Sequence, residues 1–298
     1  MNLSHLSDQE IKETLVLKQR LQLLEKQKDC QDSFLKYVEH MWPEFICGRH
    51  HKIFAQKLED VANGKINRLI INMPPRHTKS EFCSTYFPAW IMGKQPNRKI
   101  MQTTHTGELA VRFGRKVRNM MDTDEYKKIF TKVELQADSK SAGRWETNKG
   151  GEYFAAGVGG AITGRGADLL IIDDPHSEQD ALSPSALESC WEWYTSGPRQ
   201  RLQPGGAIIL VMTRWSSIDL TAKLLEAQKE EAADQWEIVE FPAIFPDTEN
   251  ALWPEFWEID ELNKVKASLP VQKWNAQWMQ NPTSEEGSIV KREWWNIW

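Results

Sequence analysis

Cysteine is scarce, with four residues (Cys30, Cys47, Cys83 and Cys190) in 298. No two form a C-x-x-C pair, and the four are scattered along the chain. A disulfide framework and a structural zinc site are therefore excluded, and the thiols are expected to be reduced in a cytosolic protein. Long apolar runs are missing too. No stretch approaches the ~18 residues a membrane span needs, and the start MNLSHLSDQE carries no apolar leader. An excess of positive charge is also lacking: 37 Lys and Arg against 42 Asp and Glu leave a net charge of −5. This excludes a globally basic coat protein, so any nucleic-acid contact has to come from a local basic stripe. No internal repeat is visible. With 40% hydrophobic residues, 17 Gly and 14 Pro, the chain is neither disordered nor low-complexity. Tryptophan, by contrast, is abundant at 14 residues, as packed cores and interfaces require.

At about 150 residues per domain the length allows about two domains. Residues 7–40 read as one helix, with Ser7-Asp8-Gln9-Glu10 as a capping box and Leu17, Leu21 and Leu24 at helical spacing. A second helix, 53–61, stops at Asn63-Gly64. Short apolar runs at 68–72, 99–103, 152–155, 168–173, 207–212 and 237–240 then alternate with helical stretches at 80–92 and 106–121. That alternation predicts βα units and a mostly parallel sheet. After about residue 245, Trp253, Trp257, Trp274 and Trp278 crowd a Pro-interrupted, mostly helical stretch, expected to form a small subdomain. The aromatic ending Lys291-Arg-Glu-Trp-Trp-Asn-Ile-Trp298 reads as an interface, and the abrupt stop suggests a piece of a longer protein.

The segment Ile70-Ile-Asn-Met-Pro-Pro-Arg-His-Thr-Lys-Ser80 runs from an apolar strand through a loop into a helix. The phosphate-binding pattern G-x-x-x-x-G-K-[ST] is met at Lys79-Ser80 but not at its glycines, where Met73 and Thr78 stand. The architecture still points backbone N–H groups and a helix N-terminus at phosphate, with Lys79 reaching the β/γ-phosphates and Ser80 ligating Mg²⁺. A Pro-containing loop with a capping Ser is the plain alternative. Downstream, Leu169-Leu-Ile-Ile-Asp173-Asp174 is an apolar strand ending in paired acids, Asp173 for the metal and Asp174 to orient a water. Two such strand ends suit one ligand, because open α/β sheets bind at the C-terminal edge. Gly164-Arg165-Gly166 suits an arginine finger or, more plainly, a flexible turn. Thr213 in Thr213-Arg214-Trp215 can sense a γ-phosphate or cap the next helix.

Met-Pro-Pro-Arg-His-x-Lys-Ser, Thr-Gly-Arg-Gly-Ala-Asp-Leu-Leu-Ile-Ile-Asp-Asp-Pro, Arg-Leu-x-Pro-Gly-Gly and Thr-Arg-Trp, in this order, resemble the ATPase half of tailed-phage terminase large subunits. The resemblance runs from about His50 to Pro282. It implies an α/β P-loop NTPase fold of the additional-strand type, with a mostly parallel central sheet flanked by helices and a small C-terminal lid. It divides the chain into an N-terminal helical segment (1–48), an ATPase core (49–245) and a lid with a linker (246–298) toward a nuclease domain that this sequence does not contain. The implied ligands are ATP and Mg²⁺. The implied partners are double-stranded DNA, the portal protein of a procapsid, a small terminase subunit and further copies in a ring, at work in the host cytoplasm.

On matching positions the resemblance places Pro75, Arg76, His77, Thr78, Lys79 and Ser80 in the phosphate loop, Asp173 on the metal, and Thr213 with Arg214 in the coupling motif. His51 falls near the adenine-contacting position, and Asp174 stands where most members use Glu. Glu178 is a nearby stand-in for that base. Thr78 replaces a glycine, so a left-handed backbone there costs about 1–2 kcal/mol, and Thr78→Gly is expected to relieve it. Arg112, Arg115 and Lys116 share a helix face that suits phosphate-backbone contact, or simply a solvated basic face. A helicase- or repair-type ATPase and a non-hydrolysing adaptor are the rival readings.

Overall fold

The computed structural model describes residues 8–162 and 164–283. Thr163 and the aromatic ending with Trp294, Trp295 and Trp298 lie outside the described residues, as does Ser7 of the expected capping box.

The long N-terminal helix is two helices, α1 (Asp8–Asp32) and α2 (Phe34–Met41). The break comes from Ser33. Its backbone is extended and its hydroxyl accepts from Lys36 N, while Glu59 Oε1 accepts from both Ser33 Oγ and Phe34 N. Capping a new helix satisfies donors that a continuous one would have spent internally. Helix α3 (Arg49–Ala62) ends where the sequence suggested, with Gly64 at φ +73.

The centre is an eight-stranded sheet: β1 (Arg68–Asn72), β2 (Lys99–Thr104), β3 (Leu135–Lys140), β4 (Arg144–Thr147), β5 (Glu152–Gly157), β6 (Ala167–Asp173), β7 (Leu202–Met212) and β8 (Glu237–Glu240), in the order β3-β4-β5-β2-β6-β7-β1-β8. The six strands from β5 to β8 are parallel, and only the β3–β4 and β4–β5 pairings are antiparallel. The phosphate-loop strand β1 and the acid strand β6 are separated by β7, the additional strand. The inner strands are apolar throughout because both faces are covered: Leu69, Ile70, Ile71, Leu169 to Ile172 and Ile208 to Met212 are all fully buried. Each such side chain contributes about 1.5–3 kcal/mol on burial.

One face carries the larger core, under α1 to α3, α4 (Phe87–Lys94), α5 (Gly107–Met121) and α6 (Asp124–Ile129). The other carries a smaller one, under α7 (Pro184–Ser196) and α8 (Leu220–Ala227). A third cluster of Ala243, Ala251, Leu262, Trp274 and Trp278, with Trp257 against it, gathers the C-terminal helices α9 (Ile259–Ser268) and α10 (Val271–Lys273), the latter continuing as a π-helical turn to Trp278. Among the described residues no helix is long and apolar enough to cross a membrane.

Candidate functional site

Register brings the chemistry to one edge. Asn72 at the end of β1 pairs with Met212, Asp173 with Val211 and Thr104 with Asp173. The loops leaving β1, β6 and β7 therefore emerge side by side at the C-terminal edge, where open α/β sheets bind ligands.

The loop 73–80 enters the helix through Ser80 and a π-helical stretch, Glu81–Tyr86, that runs into α4. Arg76 and Thr78 both hold left-handed backbone, at φ +62 and +68. Asp174 does so at φ +42. Such conformations cost about 1–3 kcal/mol each in non-glycine residues and persist only where the surroundings enforce them. Here three cluster around one point.

Lys79 is nearly buried, and its Nζ lies 2.9 Å from Asp174 Oδ2. Ser80 Oγ donates to Asp173 Oδ1 at 3.0 Å. Asp173 is 1% exposed, and burial, followed by the neighbouring Asp174, pushes its carboxyl above the usual carboxylate range. Ser84 Oγ donates to its other oxygen at 2.7 Å, and Gln102 Nε2 donates to Ser84 Oγ at 3.0 Å. Sequence reading missed Ser84 and Gln102. Ser84 stands one turn beyond Ser80, a spacing that could have signalled it, but Gln102 on β2 meets the site only through the sheet. Among the described residues no cluster of three His, Cys, Asp or Glu could hold a metal by itself. A hydroxyl, one carboxylate and phosphate oxygens are nevertheless the donor set Mg²⁺ uses in nucleotide sites, and Ser80 with Asp173 fits it.

The histidines lie behind the loop. His50, His51 and His77 are fully buried, in edge or stacked contact with Trp253, Trp257 and Trp278. Burial drives the three imidazoles down, His50 to about 3, His51 to about 2 and His77 to about 4. His51 is thus not free to contact a base, which corrects the expected adenine role. Its Nδ1 accepts from Gly48 N at 2.9 Å, and its Nε2 meets Thr78 Oγ1 at 2.6 Å. Thr78 Oγ1 donates in turn to His77 O at 2.6 Å, and His77 Nδ1 donates to Pro75 O at 2.8 Å. Pro75 is half-buried, and Arg76 is exposed at the loop's apex.

Thr213 and Arg214 sit beside the site rather than in it. Thr213 N donates to Asp174 Oδ1 at 2.8 Å, while its hydroxyl donates to Met73 O at 3.1 Å, so the hydroxyl proton is already spent on the backbone. Arg214 is held by fully buried Asp219 at 3.0 Å, and its N donates to Gln280 Oε1 at 3.1 Å. The direct nucleotide contact expected of Arg214 is corrected accordingly: its guanidinium is spent on Asp219 and Glu240. Glu178 is exposed and pairs with Lys273, so it does not stand in as base. Lys116 pairs with Glu81, leaving Arg112 and Arg115 as the exposed part of the basic face.

Arg165 is the clearest correction. It precedes β6, at the N-terminal edge, where its Nη1 donates to Glu152 at 2.8 Å and its guanidinium lies 4.2 Å from the Phe154 ring centroid. At about 3.3 Å per residue, β6 separates it from Asp173 by about 20 Å. A finger acting within its own chain is excluded by that distance.

No family model matches the chain, and no curated protein matches it. Solved structures do. The crystal structure of the HK97 bacteriophage large terminase matches with a TM-score of 0.54 and 14% identity, covering 85% of this chain and 55% of that one. A mutant of the Thermus phage P74-26 large terminase ATPase domain matches with a TM-score of 0.52 and 12% identity, covering 83% of this chain and 98% of that one. The chain thus spans about half the length of the HK97 protein. The architecture is that of a P-loop-type α/β domain. More narrowly, the fold is terminase-like, of the kind found in large-terminase ATPase domains.

Proposed function

We propose that the chain is the ATP-hydrolysing motor domain of a viral terminase large subunit, which drives double-stranded DNA into a procapsid. The observation that carries this reading is the convergence of Lys79, Ser80, Asp173 and Asp174 at the C-terminal edge of an additional-strand sheet, with Lys79 on Asp174 and Ser80 on Asp173. In the proposed cycle Lys79 exchanges Asp174 for phosphate oxygens. Asp174, still held by Thr213 N, then orients the attacking water. Bound Mg²⁺, held by Ser80 and Asp173, would neutralise charge developing on the phosphates.

The proposal includes the division into a helical segment (1–48), a core (49–245) and a lid with its linker (246–298). It also includes the portal protein, a small terminase subunit and a homo-oligomeric ring as partners in the host cytoplasm. The left-handed loop, held without glycines, favours an active site over a non-hydrolysing adaptor. The test is ATP turnover by the purified chain beside its Lys79→Ala variant. Turnover that the variant loses supports the reading, and turnover that survives it moves the site elsewhere.

A further inference from the structure

The glycine missing at position 78 has a structural replacement. Because a backbone N–H donates to His51 Nδ1, the ring proton must sit on Nε2, and Nε2–H can only donate to Thr78 Oγ1. The Thr78 hydroxyl then has its own proton left for His77 O, and His77 Nδ1–H closes onto Pro75 O. Every donor in this relay has one direction. It runs from the N-terminus of α3, which His51 caps, through the strained residue to the loop carbonyls. His51 itself cannot swing away: it is fully buried, with ring centroids 4.7 Å from Phe45 and 4.9 Å from both Phe82 and Trp253.

We infer that His51 and Thr78 form a positioning clamp for the phosphate loop, in which a buried side-chain hydrogen bond holds residue 78 in the left-handed conformation that glycine adopts freely elsewhere. The inference rests on the reading of residues 73–80 as the phosphate loop. It makes His51 a positioning residue acting through Thr78, and it reverses the simple expectation for Thr78→Gly. Glycine removes the backbone strain, but it also removes the hydroxyl that accepts from a buried imidazole N–H, and it frees the loop to sample other shapes. An unpaired buried donor and a disordered loop both work against phosphate binding.

The experiment measures ATPγS–Mg²⁺ affinity by calorimetry for wild type, Thr78→Gly, Thr78→Val, Thr78→Ser, His51→Phe and the His51→Phe/Thr78→Val double variant. Thr78→Gly, Thr78→Val and His51→Phe are each expected to weaken binding about tenfold, which is 1.4 kcal/mol. Thr78→Ser keeps the hydroxyl and should stay within about twofold of wild type. The double variant should be about as weak as either single one, because both break the same bond. In nucleotide-free protein, amide exchange over residues 77–80 should accelerate in Thr78→Val and not in Thr78→Ser.

Binding by Thr78→Gly as tight as wild type overturns the clamp, and so does a double variant about a hundredfold weaker. If His51→Phe fails to fold, the contrast between wild type and Thr78→Val decides alone, since both residues are β-branched and make the same backbone demand while only threonine offers the hydroxyl. Lys79→Ala separates the two levels of the argument. Loss of ATPγS binding there with tight binding in Thr78→Val sinks the clamp only, whereas normal binding in Lys79→Ala sinks the phosphate-loop reading beneath it.

Discussion

Lowering the pH from 7.5 to 5.5 should destabilise the nucleotide-free protein through the histidines beneath the loop. Burial holds His50 at about 3, His51 at about 2 and His77 at about 4 in the folded chain, whereas each titrates near 6.5 when unfolded. The folded state therefore binds fewer protons than the unfolded one below pH 6.5. The stability these rings contribute is present above that value and is lost as the pH falls toward their folded values. Between pH 7.5 and 5.5 each ring accounts for on the order of 1 kcal/mol, and the three together for about 3–4 kcal/mol. His40 and His176, also lowered by burial, act in the same direction. Asp173 acts against them, because its carboxyl is raised by burial and by Asp174 and takes up a proton in the folded state. The net loss should be about 2–4 kcal/mol, a large part of the 5–15 kcal/mol typical of a folded protein. Urea denaturation at the two pH values measures it, and NMR titration of the imidazole C–H signals assigns it. Equal stability at both values, with rings titrating near 6.5 in the native protein, would refute the account, because the interface between loop and Trp253 would then be wet.

Lys79→Ala should abolish ATP hydrolysis and leave the circular dichroism spectrum unchanged, since the side chain reaches the edge of the sheet and not its core; retained turnover would contradict the site. Asp219→Ala should cost about 3–5 kcal/mol in urea denaturation because it leaves the buried Arg214 without its main carboxylate; a change below about 1 kcal/mol would mean that Arg214 finds water or Glu240 instead. Arg165→Ala in dilute protein should leave both ATPγS affinity and turnover per chain within about twofold, as its place at the far edge requires. A rate loss near the roughly 10³–10⁵ typical of arginine fingers, rescued by mixing with Lys79→Ala, would instead put Arg165 into a neighbouring subunit's site.

How much of this was legible in the sequence depended on whether the signal was local. The inner strands showed themselves because both of their faces are covered, which makes Arg68–Asn72 and Ala167–Asp173 nearly continuous apolar runs. Strands β3 and β4 did not, since LQADSK and RWET are largely polar segments at the antiparallel margin, where one face can stay wet. The break at Ser33 was hidden because the apolar rhythm runs straight through it, and the carboxylate that holds Ser33 and Phe34 in the capped turn is Glu59, 26 residues beyond Ser33. Lys79, Ser80, Asp173 and Asp174 were legible because strand ends in a parallel sheet must gather at one edge. Gln102 and Gln280 were not, since each acts on a partner that only the fold brings near, whereas Asp219, five residues after Arg214 and the N-cap of α8, carried a local signal that was overlooked. The misplacement of Arg165 had a local remedy. It precedes its strand, and in a parallel sheet that puts it at the edge opposite the ligand.

The site also contains a physical route to the C-terminal cluster. Lys79 holds Asp174, Asp174 Oδ1 is held by Thr213 N, and the next residue's N–H donates to the side chain of Gln280. Gln280 is itself buried and left-handed at φ +55, and its amide nitrogen returns to Gln277 O in the last helical turn of the C-terminal cluster. Neither Thr213 nor Arg214 can shift alone, because the first is tied to Met73 and the second to Asp219. In the proposed cycle phosphate would draw Lys79 away while Asp174 Oδ1 keeps its link to Thr213 N, so the change in charge would be felt at the residue pair joined to Gln280. Coupling of this kind is reciprocal: whatever phosphate binding does to the Gln280 contact, displacement of that contact must do to phosphate affinity by the same factor. Under the motor function proposed above, that reciprocity would let a load on the C-terminal cluster act on nucleotide release through Gln280.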